Sequence, residues 1–227
     1  MASHSVRRAA GTAAIIGGIL GVVLAPIMVI VKYQTGWSIV PEPSWIAVVT
    51  PLLGGLLQFA TPVTRWTVYG SMYSVALLLM FAGLFALASE VAARAGRRRP
   101  KGLWIAIVGL CLVILGDAVH TATWHQHGLT VPTPGTNPIA NTGYAVHMMG
   151  MNVILVGTLA AGISSLRNGL LARWLAWSFV LIAPSMVVIT LTILPTTPSD
   201  GLWMFSAMMI IVGCSLSVGK PVWRTAA

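Results

Sequence analysis

Long apolar runs, most of them about the length of a membrane span, alternate with short polar stretches along this chain. Seven such segments can be drawn, roughly at Gly11–Val31, Trp45–Ala60, Thr67–Ala88, Leu103–His120, Gly143–Ser164, Trp174–Leu194 and Leu202–Gly219. A helix satisfies its own backbone N–H and C=O groups, so helices are expected wherever the chain lies in lipid. The pattern therefore predicts an all-α polytopic membrane helix bundle. We expect a single transmembrane domain over residues 1–227, because no polar linker divides the chain.

The composition supports a membrane protein. Hydrophobic residues make up 57% of the chain and charged residues 7%, whereas soluble domains carry about 25% charged residues. The formal net charge of +9 does not indicate a nucleic-acid partner, because the basic residues lie in short stretches between apolar runs. Membrane lipids are the expected partners. Cys111 and Cys214 lie inside apolar runs without metal-ligand spacing, which predicts buried, inert thiols.

Basic residues also predict the orientation of the chain. The strongest cluster extends from Arg94 to Lys101, and positive residues near span ends favour the cytoplasmic side. Arg167 and Arg173 follow two segments later, and Lys220 and Arg224 follow after two more. We therefore expect a multi-pass protein of the cell membrane with a cytoplasmic C-terminus.

The segment Trp45–Ala60 separates six-span from seven-span topologies. It is the shortest run and contains one proline and two glycines, which is typical of a re-entrant segment. If it does not cross, Lys32 and Arg65 are the basic residues left outside, so the charge distribution favours six spans and leaves seven open. With six spans, Glu42 and Asp200 lie on the same outer side.

Glu42 and Asp200 are two of only four acidic residues, and a tryptophan follows each of them three residues later. An apolar pocket disfavours the charged form of a carboxyl group, so the group can stay protonated and act as a general acid. Nearby aromatic rings can stabilise a cation. Helix capping and interfacial tryptophans are the structural alternative. The predicted substrate-binding residues are all aromatic, namely Trp45, Tyr69, Tyr73, Trp124 and Trp203.

A second group of polar residues ends the fourth apolar segment. On a helix, Asp117, His120, Trp124 and His127 fall along one face. Asp117 lies about 20 Å from Trp104 along that helix, within the hydrocarbon, where an ionisable residue suggests function. Three roles remain open: a neutralising pair, acid–base catalysis by Asp117 and His120, or a metal or haem site. The metal or haem ligands would be His120, His125, His127 and His147.

Two local patterns predict structure rather than chemistry. Gly17-x-x-x-Gly21 is typical of close helix packing in membranes. Glu90 and Arg94 have the i, i+4 spacing of an ion pair within one helix.

The apolar segments, with Leu115-Gly116-Asp117 and Pro198-Ser199-Asp200, resemble small actinobacterial polytopic membrane proteins. Glu42 and Asp200 are also similar to the carboxylate pair of integral-membrane terpene cyclases. In that family, one Glu and one Asp on separate helices serve proton transfer to a prenyl alkene or epoxide. The resemblance implies proton-initiated cyclisation of a prenylated or lipidic substrate without a cofactor.

Two other functions are weighed against the cyclase. Trp124-His125 and His147 resemble the metal-site helix of copper membrane monooxygenases, although Thr121 stands where that pattern has an Asp. This resemblance implies a metal- or haem-binding oxidoreductase. A non-enzymatic transporter, immunity protein or regulatory membrane protein is the other alternative.

Overall fold

A computed structural model of the chain describes residues 4–34, 46, 48, 50–51, 55, 62–95, 100–126, 138–192 and 202–217. The secondary-structure elements among these residues are all helices, which confirms the all-α part of the predicted fold class, while six helices are described rather than seven. The helices are α1 His4–Gln34, α2 Pro62–Ala95, α3 Lys101–Gln126, α4 Pro138–Asn168, α5 Arg173–Thr192 and α6 Leu202–Ser217. They correspond to six of the seven predicted segments. Most of the remaining segment, Trp45–Ala60, lies outside the described residues.

Four of the helices are long and apolar enough to cross a membrane. The qualifying stretches are His4–Val31, Thr67–Ala95, Lys101–His120 and Pro138–Asn168. The apolar parts of α5 and α6, Arg173–Val188 and Leu202–Ser217, are shorter.

The outer surface of the bundle is apolar. Large apolar side chains are exposed at helical spacing, for example Ile16, Ile19 and Val23 on α1, and Val68 and Met72 on α2. Soluble monomers rarely expose contiguous apolar surface on this scale, so the surface suits lipid. The core lies between the helices and includes the fully buried rings of Phe179 and Phe205.

Helices that follow one another in the chain run antiparallel, and this arrangement defines two ends of the bundle. Arg7 near the start of α1 contacts Glu90 near the end of α2 at 3.3 Å, and its Nη2 donates to the Ser215 carbonyl of α6 at 3.4 Å. We call this the basic end, because the basic residues Arg7, Arg8, Arg94, Lys101, Arg167 and Arg173 lie at helix ends there. The opposite end, which carries His120 and His147, is the histidine end.

The predicted ion pair of Glu90 is confirmed, and it has a second partner. Arg94 lies 3.6 Å from Glu90 Oε1 on the same helix. Arg7 of α1 lies 3.3 Å from the same oxygen atom. One carboxylate therefore joins α1 to α2 at the basic end, a contact that the sequence spacing did not predict.

Helices α3 and α4 approach most closely through two facing rows of glycine. Gly102, Gly109 and Gly116 are seven residues apart on α3, and Gly143, Gly150 and Gly157 repeat that spacing on α4. A Cβ atom on any of the three α3 glycines would lie between 2.2 and 2.6 Å from an α4 backbone nitrogen. Only hydrogen at these positions allows the two backbones to come so close, as is common between membrane helices. We call these six glycines the glycine seam.

The close-packing prediction for Gly17 and Gly21 is confirmed. Gly17 lies against the backbone of α2 at Ala76, and Gly21 lies against Ser206 of α6. The two glycines thus allow α1 to pack against both neighbours. Gly169, with a φ of 66°, follows α4, and its N–H donates to the Ser165 carbonyl at 2.9 Å. This left-handed residue ends α4 and starts the short turn into α5.

The prediction for the two cysteines was wrong about their burial. Cys111 on α3 and Cys214 on α6 are both exposed on the apolar surface of the bundle. A thiol that faces lipid and a thiol in the core both have apolar neighbours in the sequence. The apolar run alone therefore did not distinguish the two positions.

Candidate acid–base site at the histidine end

Asp117 forms a hydrogen bond across the interface between α2 and α3. The hydroxyl of Ser74 on α2 donates to Asp117 Oδ2 at 2.5 Å, and the two residues are 43 positions apart in the sequence. Asp117 is half-buried and lies about 24 Å along α3 from Lys101, inside the apolar stretch Lys101–His120. An ionisable group at this depth is costly to keep, and its fixed partner makes it a functional candidate.

The Ser74 hydroxyl is placed to serve either protonation state of Asp117. Its oxygen also lies 3.1 Å from the carbonyl of Gly70, one turn earlier on α2. When Asp117 is ionised, the hydroxyl donates its single proton to the carboxylate. When Asp117 is protonated, the acid can donate to Ser74 Oγ while the hydroxyl donates to Gly70. The geometry thus lets the carboxyl group gain or lose a proton without losing its hydrogen bond.

His120 and His147 occupy equivalent positions on α3 and α4. Each follows a glycine of the seam by four residues, His120 after Gly116 and His147 after Gly143. A Cβ on Gly116 would lie 2.4 Å from the backbone nitrogen of His147, and one on Gly143 would lie 3.0 Å from that of His120. Both histidines are buried, since 7% of the surface of His120 and 8% of that of His147 is exposed. The glycine seam therefore brings two histidines from separate helices to the same buried interface.

Tyr69 and Tyr73 lie on the inner face of α2 at the same end of the bundle. Each has 6% of its surface exposed, and Arg65, one turn before Tyr69, has 8%. The i, i+4 spacing places the three side chains along one stripe of α2, and Ser74 lies about 100° further around the helix than Tyr73. Two aromatic rings and a buried cation therefore share one buried stripe of α2 at the histidine end, beside the face that carries Ser74.

Asp117 and His120 meet different neighbours, although they lie one turn apart on α3. The Asp117 side chain contacts α2 through Ser74, whereas the His120 backbone lies against Gly143 of α4. Thr123, in the next turn, donates its hydroxyl to the His120 carbonyl at 2.7 Å. Asp117 and His120 therefore contribute to two adjoining interfaces.

Trp203, a predicted substrate-binding residue, has a defined structural contact. It is half-buried at the start of α6, and its ring N–H donates to the Val22 carbonyl of α1 at 2.5 Å. Its indole nitrogen therefore anchors α6 to α1, and its half-buried ring packs against the core.

Several predicted residues lie outside the part of the chain that the structure describes. Glu42, Trp45, His127 and Asp200 are among them, as are the side chains of Trp124 and His125. Among the described side chains, no group of three or more His, Cys, Asp and Glu residues comes together to hold a metal ion.

Sequence reasoning missed Ser74 as a member of this site and Arg65 as a buried residue at the same end of the bundle. Ser74 is an ordinary residue in an apolar run, and only the packing of α2 on α3 shows its partner. Arg65 carried a weak signal in the sequence, because Lys32 and Arg65 are the two basic residues between the first and third apolar runs. The seven-residue glycine spacing was also a readable signal for the α3–α4 contact.

The geometry is that of a helical bundle, with four helices that could cross a membrane and with buried polar residues at one end. Comparison of the chain with protein-family models, with curated proteins and with solved structures finds no match.

Proposed function

We propose that this protein is a membrane-embedded enzyme that cyclises a prenylated or other lipidic substrate after protonating it. The observation that carries the proposal is the Ser74–Asp117 hydrogen bond inside an apolar helix stretch, which accommodates both protonation states of the carboxyl group. In this reaction an acid adds a proton to an alkene or epoxide, the resulting carbocation closes a ring, and a base removes a proton. Both proton steps require positioned titratable groups in a dry site.

Each candidate residue has a role in this proposal. Glu42 or Asp200 supplies the first proton, and the other carboxylate orients it or takes the final proton. Asp117 with Ser74 exchanges protons with this pair, and His120 is the adjoining base. Aromatic side chains shield the cationic intermediates. They are Trp45, Tyr69, Tyr73, Trp124 and Trp203.

The directions of the helices support a shared site. Helix α1 ends and α2 begins at the histidine end, and α5 ends and α6 begins there too. The connections that contain Glu42 and Asp200 therefore start and finish at the end of the bundle where Asp117 lies.

The same directions support a six-span topology in the cell membrane. A single crossing by Trp45–Ala60 would separate the end of α1 from the start of α2, whereas both lie at the histidine end. In this topology the basic end is cytoplasmic, because Arg94, Lys101 and Arg167 are at that end, and so is the C-terminus.

Cysteine labelling tests this topology. Single cysteines at positions 42 and 200, in a background without Cys111 and Cys214, should both react with a membrane-impermeant thiol reagent added outside whole cells. Labelling of the two positions from opposite faces would refute the shared site, even if the protein proves to be an enzyme.

Turnover in heavy water tests the reaction. Purified protein in lipid is incubated with a panel of prenylated alkenes and epoxides, and products are identified by mass spectrometry. Cyclisation is an isomerisation, so a cyclic product has the mass of the substrate, and in D₂O protonation of an alkene adds one deuterium. Asp117→Asn should lower turnover about 100-fold or more, as expected for loss of a positioned acid or base.

A matched pair of serine variants separates catalysis from folding. Ser74→Ala should reduce turnover, because it removes the hydrogen-bond partner of Asp117. Ser164→Ala is the control, since that half-buried hydroxyl donates only to its own helix, at the Ala161 carbonyl, at 3.1 Å. Equal activity of Asp117→Asn and the parent would show that Asp117 has no part in the chemistry.

One observation favours a metal- or haem-binding oxidoreductase as the second candidate. His120 and His147 are buried, and the backbone of each lies against a glycine of the other's helix, so two possible ligands come from separate helices to one interface. Elemental analysis and absorption spectroscopy of the purified protein distinguish this candidate from the cyclase. A protein with neither bound metal nor turnover would instead be a transporter, an immunity protein or a regulator.

A further inference from the structure

A groove between α1 and α2 at the basic end is distinct from the candidate site. It has a volume of about 800 Å³. Six alanines from the two helices line it, together with the rings of Phe81 and Phe85. Along α2 it extends from Phe81 to Arg94, which corresponds to about 20 Å of helix. The groove is therefore long, and its lining is apolar except toward one end.

The end of the groove nearest the helix ends is charged. Arg7, Glu90 and Arg94 line it, and both guanidinium groups lie within 3.6 Å of Glu90 Oε1. Two cations share one carboxylate, so this opening has a net positive charge. The Arg94 side chain is 37% exposed, which leaves part of its guanidinium group accessible. An anion at the opening would thus add to the existing ion pairs without displacing Glu90.

We propose that this groove binds one anionic phospholipid. An acyl chain would lie along the alanine-rich part, and the phosphate would contact Arg94 and Arg7 at the opening. The groove belongs to the stretches His4–Val31 and Thr67–Ala95, which are suited to span the bilayer, so lipid chains have direct access. Basic pockets beside membrane helices prefer anionic head groups, because the net charge of a zwitterionic head group is zero.

Native mass spectrometry of the full chain tests this proposal. Protein is reconstituted in nanodiscs containing equal parts phosphatidylglycerol and phosphatidylcholine, and the lipids retained after release are counted for each class. The parent should retain one phosphatidylglycerol in preference to phosphatidylcholine. Arg94→Gln should lower that retention roughly fivefold, the effect expected for one cation near an anionic head group.

Two further variants make the test specific to the groove. Ala82→Phe fills the apolar part without changing charge, and its exposed position allows the larger side chain without disturbing the core. Ala82→Phe should also abolish the preferential retention of phosphatidylglycerol. Arg173→Gln is the matched charge control, because Arg173 is an exposed residue at the basic end on α5 and is not among the residues that line this groove.

Three results would overturn the proposal. The first is equal retention of both lipids by the parent, and the second is equal losses in Arg94→Gln and Arg173→Gln. The third is a change in oligomeric state in Ala82→Phe with unchanged lipid retention, which would assign the groove to a second copy of the chain. Circular dichroism of each variant confirms that helix content matches the parent.

Discussion

Placing a methyl group in the glycine seam should separate α3 from α4. In Gly109→Ala, the new Cβ would lie 2.6 Å from the Ile154 nitrogen and 2.8 Å from the Gly150 carbonyl oxygen. Favourable contacts between such atoms begin near 3.5 Å, so the helices must move apart by nearly 1 Å. Backbone atoms cannot rotate away as a side chain can, and the strain must spread along the seam.

The size of the effect follows from two opposing terms. Overpacking costs about 1–3 kcal/mol, and contact with backbone places Gly109→Ala near the upper end. Alanine favours a helix over glycine by about 1 kcal/mol, which offsets part of that cost. The net loss of stability should therefore be about 2 kcal/mol. Gly55→Ala is the control, because Gly55 is exposed and no atom of the described residues lies within 4 Å of a Cβ at that position.

Reversible unfolding in mixed micelles, titrated with sodium dodecyl sulfate, measures this loss. Gly150→Ala should cost a similar amount, since its Cβ would lie 2.7 Å from the Gly109 carbonyl oxygen. The double variant should cost less than the two single variants together, because one separation of the helices relieves both clashes. The reasoning fails if Gly109→Ala is as stable as Gly55→Ala, or if the two costs simply add.

Two further substitutions test single contacts. Glu90→Gln removes the shared partner of Arg7 and Arg94, and should lower the free energy of unfolding by about 1 kcal/mol. The loss should be smaller at high salt, because salt screens ion pairs. A loss that salt does not change would contradict the ion-pair assignment. Trp203→Phe keeps the apolar ring but removes the hydrogen bond to the Val22 carbonyl, and should cost about 1 kcal/mol in the same unfolding assay. A neutral result for Trp203→Phe would show that this contact contributes nothing to the α1–α6 interface.

Only part of the candidate site was predictable from the chain alone. Asp117 was identified because an acid within an apolar helix is costly and therefore unusual. Its partner Ser74 was not, because serine is common in membrane helices and lies 43 residues away. Tyr69 and Tyr73 were predicted from their nearness to Glu42, whereas the structure shows that both lie on the buried stripe of α2.

The sequence by itself determined that the described chain is helical and apolar enough for a membrane, whereas the lengths of the helices in the structure leave four that are fit to span one. Lipid offers no hydrogen bonds to the backbone, so composition and length are sufficient for that conclusion. The tertiary structure decided which helix faces meet. Lipid-facing and core-facing positions are both apolar, so hydrophobic periodicity did not distinguish Cys111 from a core residue. Close backbone approach at the glycine seam sets the α3–α4 register, and that register brings His120 and His147 to one interface.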